Sequence, residues 1–138
     1  MSDDSAQRAQ PESFRGRALS VSLTATDLQK SLAWWRDVLG FTVEEEHERE
    51  GKVVAVSLVA GGVRMILGRD DGAKGWDRHK GEGISMYITT AQDVDELAAA
   101  IKSRGGALDT EPTDMPWGAR AFRLSDPDGF RLTISTER

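Results

Sequence analysis

The chain repeats one pattern of elements twice, and that repeat restricts its fold more than any other feature of the 138 residues. The stretch ALSVSLTATDLQKSLAWWRDVLGF opens with period-two alternation. Leu19, Val21 and Leu23 fall on one side, and Ser20, Ser22 and Thr24 on the other. Asp27 stands where a helix needs an N-cap, and Leu28, Leu32, Trp35 and Leu39 then form one apolar stripe. Gly40 supplies the stop, and Phe41 and Val43 open a second strand whose end, EEEHERE, is too charged for an interior. A turn at Glu50–Gly51 leads into KVVAVSLVA, and the Gly61–Gly62 pair turns the chain into VRMIL. ISMYITTAQDVDELAAAIKSRGG then repeats the scheme, with Asp93 in the part of Asp27, the stripe Val94, Leu97, Ala98 and Ile101, and a stop at Gly105–Gly106. A short strand near Ala107–Leu108, a loop holding Pro112 and Pro116, and the strands RAFRLSD and FRLTIST complete it. Each half reads β-α-β-β-β.

The expected architecture is therefore α+β: two βαβββ modules whose curved mixed sheets form a cleft. The boundaries read as an N-terminal tail over 1–16, a first module over 17–68, a linker over 69–82 and a second module over 83–138. The linker, rich in glycine and without periodicity, is expected to be mobile. A helix covers one face of such a sheet, so the other face needs the second module or another subunit. Ser20, Ser22 and Thr24 are poor walls for a dry core and suit a wet cavity.

Composition narrows the classes. There is no cysteine, so disulfides, thiolate metal sites and cysteine nucleophiles are excluded, which fits a reducing, cytoplasmic setting. A net charge of −5 without a basic stripe disfavours nucleic acid; it favours solubility and, secondarily, cationic ligands. No apolar run reaches the roughly 18 residues of a membrane span, and the polar N-terminus lacks the apolar core of a secretory signal.

The paired modules, the helix DLQKSLAWWRDVLGF and the terminal WGARAFRLSDPDGFRLTI resemble the vicinal oxygen chelate superfamily. That superfamily includes glyoxalase I, extradiol dioxygenases, and fosfomycin- and bleomycin-resistance proteins. The resemblance covers about residues 17–136. It implies four inward positions where the metal enzymes hold His, Gln or Glu, and here these are Ser20, Ile66, Ser85 and Thr133. Two serines, a threonine and an isoleucine cannot repay a divalent ion's lost hydration. A slip of one residue exposes only leucine, valine, isoleucine or methionine. The expectation is thus no metal and no cofactor. The bleomycin-resistance-like branch, metal-free homodimers with ligand-binding clefts, is the nearest likeness.

Candidate ligand contacts follow. Ser20, Ser22, Arg64, Ile66, Ser85, Tyr87, Arg131 and Thr133 fall on the inward faces by alternation. Arg64 and Arg131 suit an anionic or carbonyl group. Trp76, isolated in the linker, and Trp117, expected to begin a late strand at the mouth of the cleft, add aromatic surface. Trp35 reads as core, and Trp34 as cover for the helix–sheet edge or a subunit contact. His47 reads as part of a charged edge that blocks sheet-to-sheet pairing, and His79 as a loop histidine within reach of a cleft. Asp126 and Asp128 read as turn builders. The expected function is metal-independent sequestration of a small molecule in a dimer cleft. The alternatives are a glyoxalase-like lyase or isomerase or a dioxygenase, or a structural partner with a vestigial cleft.

Overall fold

The structure, a computed structural model, describes residues 14–137. Most of the expected tail, residues 1–13, and Arg138 lie outside them. Among the described residues no helix is long and apolar enough to cross a membrane.

The first module runs β1 (Val21–Ala25), α1 (Leu28–Ala33, continued by a π-helical turn over Trp34–Val38), β2 (Thr42–Arg49), β3 (Lys52–Ala60) and β4 (Val63–Arg69). The second runs β5 (Ser85–Thr90), α2 (Val94–Ser103), β6 (Thr110–Asp114), β7 (Arg120–Ser125) and β8 (Arg131–Thr136). The sheets share one topology, β1-β4-β3-β2 and β5-β8-β7-β6, in which the first strand pairs parallel with the last and the remaining neighbours pair antiparallel. This is the α+β pair of four-stranded modules read from the sequence.

Local chemistry explains the elements. Asp27 accepts the Lys30 N–H at 3.1 Å, and Asp93 accepts those of Asp95 and Glu96, so both helices begin where a short acid answers free donors. Glu50 and Gly51 both have positive φ, which matches the right-handed strand twist in a two-residue hairpin.

Four local features differ from the sequence reading. The first strand begins at Val21, so Leu19 lies before it and is 95% exposed. The first helix widens at its C-terminal end, where Leu39 N–H bonds Trp34 C=O five residues back. The extra residue per turn brings Trp34 and Trp35 to the core together, their rings edge to face at 5.1 Å. The short strand lies not at Ala107–Leu108 but at Thr110–Asp114, and it contains Pro112. An outermost strand tolerates a residue without an N–H donor, and its ladder breaks between Thr110 and Thr113. Finally, Trp117 sits in the turn between β6 and β7 rather than in a strand, with Met115 N–H bonded to Ala119 C=O.

Both sheets turn their helix-bearing faces to one core. Leu23, Val56, Leu58, Met65 and Leu67 of the first module and Ile101, Phe122, Leu124, Leu132 and Ile134 of the second belong to a single apolar cluster. Trp35, 1% exposed, stands at the junction and donates its indole N–H to Asp126 Oδ2 at 3.2 Å. Arg104 Nε reaches Val38 C=O at 2.9 Å from the other side. Nor does the linker hang free: Lys80, with a side chain 7% exposed, contacts Asp70 at 2.7 Å and Asp128 at 3.7 Å. One buried ammonium thus bridges the end of the first sheet and the last turn of the second.

Candidate functional site

With the helix-bearing faces joined, the two opposite faces look outward, and strand register dictates which side chains share each of them. In the second sheet, Ser85 pairs with Arg131 and Arg131 with Ser125; Tyr87 pairs with Thr133 and Thr133 with Arg123; Thr89 pairs with Ser135 and Ser135 with Ala121. The intervening Phe122, Leu124, Leu132 and Ile134 are buried towards α2. Three short rows of hydroxyl, guanidinium and phenol groups result. Four expected contacts, Ser85, Tyr87, Arg131 and Thr133, stand together here; Tyr87 is 52% exposed and Thr133 is buried between its row neighbours. Arg123 belongs to the same face, and the sequence reading passed over it. Its signal was in RAFRLS, where an arginine between two core residues must point away from the core.

The first sheet's outer face is built alike and furnished differently. Ser22 pairs with Ile66, Ile66 with Ser57, and Ser57 with Glu45; Arg64 pairs with Val59, and His47 with Ala55. His47 is therefore more than an edge charge. Its Nε2 lies 3.1 Å from Ser57 Oγ and 3.9 Å from Glu45 Oε1. Arg64 pairs with Glu44 at 2.8 Å on the exposed rim. A bulge between Val43 and Glu45 lets Glu44 reach it. Ser20 is exposed ahead of the strand.

Where the modules meet at their free edges, β1 and β5, a groove of about 440 Å³ brings Arg64 towards Ser85 and Tyr87, with Leu19, Val21 and Val63 along it. The remaining candidates lie elsewhere. Trp76 folds against Gly72 and lines a separate cavity at the start of α1 with Asp27 and Asp71. Trp117, 45% exposed, stays at its turn. His79 borders an open cavity of about 500 Å³ with Glu82 and Arg131.

The DPDGF turn positions β8. Asp126 Oδ1 accepts the N–H groups of Asp128 and Phe130, both at 2.9 Å, while Asp128 accepts Thr26 N–H and Ser31 Oγ–H across the module junction. Asp126 and Asp128 thus build the turn and also tie the two halves together. Burial raises the Asp126 carboxyl above its ordinary 3.8, partly offset by the N–H groups of Phe130 and Trp35. Asp70 moves the other way, to about 2, held by the Lys80 ammonium and the Gly72 N–H.

The superfamily's metal enzymes hold His, Gln or Glu at the four matching positions, and Ser20, Ile66, Ser85 and Thr133 do not fit an ion. Among the described residues no group of three His, Asp or Glu side chains could hold one.

A family model described as the Glyoxalase/Bleomycin resistance protein/Dioxygenase superfamily matches residues 17–134, and the chain belongs to that superfamily. No curated protein matches it. Among solved structures, a superfamily member from Sphaerobacter thermophilus DSM 20745 is 26% identical, with a TM-score of 0.71 over 89% of this chain and 98% of that one. TioX from Micromonospora sp. ML1 is 22% identical, with a TM-score of 0.72 over 89% of this chain and all of its own. A glyoxalase/bleomycin resistance protein/dioxygenase from Nocardioides is 19% identical, with a TM-score of 0.67 over 96% and 92%. The latter two share the fold.

Proposed function

We propose that this protein binds a small molecule without a metal ion, in clefts completed when a second copy covers the outward faces of its sheets. The observation that carries the reading is the furnishing of those faces: the four positions where metal enzymes of the fold hold an ion carry Ser20, Ile66, Ser85 and Thr133, and exposed Tyr87 and arginines stand beside the last two. Pairing of two copies is supported by apolar side chains exposed ahead of β1 and β5, Leu19 at 95% and Ile84 at 47%. A ligand that binds only the folded state raises its melting temperature by mass action. Chelator-treated protein should run as a dimer in light scattering and gain several degrees with at least one compound of a chemically broad panel. A monomer that no compound stabilises would overturn the reading.

A second reading, a metal-free acid–base enzyme, is favoured by the His47–Ser57 contact on the first sheet's outer face. It predicts turnover of a bound compound that disappears in His47→Gln while binding persists.

A further inference from the structure

The two outward faces carry opposite local charge, and that contrast points to a class of ligand. Glu44, Glu45 and His47 accompany Arg64 on the first, whereas the second presents Arg123 and Arg131. Among the described residues neither of these two arginines makes an ion pair. They sit on adjacent strands, one row apart, a diagonal of roughly 7–8 Å between backbones. Arginine forks reaching from such positions can converge on one anionic group.

We propose that this face takes an aromatic carboxylate: Arg123 and Arg131 grip the carboxylate, and Tyr87 packs against the ring. The inference rests on the binding reading above and adds the ligand's chemistry to it. Planarity decides for carboxylate. Phosphate cradles draw on converging backbone N–H groups at a helix start or nest, but the N–H groups of these strands lie in the plane of the sheet and do not project from this face. Recognition falls to side chains, and a guanidinium fork matches a flat carboxylate with two parallel hydrogen bonds. Tyr87 stands beside Thr133 in the row next to Arg131, half exposed, with an aromatic surface to offer. The groove lined by Ser85 and Tyr87 gives the ligand's body room beside the sheet, while Arg131 also borders the open cavity that holds His79 and Glu82. The chain's overall charge of −5 would suggest a cationic ligand, but the second sheet's face is locally positive.

Titration calorimetry and NMR with 2-naphthoate, its neutral amide 2-naphthamide, and inorganic phosphate test this on the full chain. Naphthoate should bind and shift resonances of β5, β7 and β8, with the amide and phosphate each at least roughly tenfold weaker. Arg123→Gln and Arg131→Gln should each weaken naphthoate by about tenfold or more while leaving Tm unchanged. Equal binding of the amide, tighter binding of phosphate, or shifts confined to the first module would overturn the inference. So would an Arg123→Gln variant that dissociates the dimer yet binds naphthoate normally, because the arginine would then serve the subunit contact, with Glu45 as a fitting partner. If neutral or cationic members of the panel bind and naphthoate does not, the inference fails and the binding reading survives. If nothing binds, both fail.

Discussion

The two modules share a plan and differ in how their helices meet the core. Residues at the same offset from the capping aspartates occupy matching places: Leu28 and Val94, Leu32 and Ala98, Trp35 and Ile101, all buried. The first helix uses large side chains and needs a π turn to seat two tryptophans; the second uses small ones and stays regular. The difference teaches that the first helix serves two masters, its own sheet and, through Trp35 and Asp126, the turn that launches β8. The second module therefore leans on the first for the placement of its last strand. It repays this through the Arg104 contact to Val38 and through Asp128, which accepts from Thr26 and Ser31 of the first module.

Breaking that asymmetry gives the largest expected effect. Trp35→Ala should cost about 3–5 kcal/mol in urea unfolding, and Ile101→Ala, at the matching site, about 2–4. Equal costs would mean that the tryptophan does nothing for the second module. Lys80→Met should come next, lowering Tm on the order of 10 °C by leaving Asp70 buried beside fewer positive charges. The sign of its pH dependence follows from Asp70. A folded-state value of about 2 lies below the ordinary 3.8, so this contribution is complete above about pH 4 and fades as pH falls towards 2. The variant should lose least, relative to wild type, near pH 2.

Trp35→Phe sharpens the comparison, because it keeps an aromatic ring in the core while removing the N–H together with part of the indole. The expected loss is about 1–3 kcal/mol, from a buried acceptor left short and a small cavity. Asp126 already has a raised folded-state value, so its ionisation lowers stability as pH climbs above 3.8. Removing a donor to its carboxylate deepens that loss, and the gap between variant and wild type should be wider at pH 7 than at pH 4. Alanine at the two caps should cost about 1 kcal/mol each, with Asp93 the costlier because it answers two N–H groups where Asp27 answers one. Arg64→Gln, at an exposed rim pair, should change stability by less than about 0.5 kcal/mol.

The repeat made the fold legible, because caps, stripes and glycine stops recur at a fixed offset and each is a local signal. The outermost strand was not, since Pro112 argues against a strand unless its edge position is known, and only tertiary placement supplies that. The faces turned away from the helices were legible through alternation, as Ser85, Tyr87, Arg131 and Thr133 in one set of rows illustrate. The same counting offered Arg123. What alternation cannot give is partnership between strands: His47 meeting Ser57 depends on a bulged register, and a glycine-rich connector gave no hint that Lys80 is enclosed. Trp76 and Trp117 attracted notice as lone aromatics, but isolation in sequence does not say which side of a sheet a loop visits.

Lys80 also sets how readily two copies could trade halves. An exchange must first strip this ammonium of its counter-ions in a place closed to water, and the traded copies rebuild the same grip afterwards. It is therefore an obstacle along the route rather than a bias between destinations. Differently tagged populations mixed at neutral pH should keep their original halves, and hybrids should accumulate only when acid neutralises Asp70.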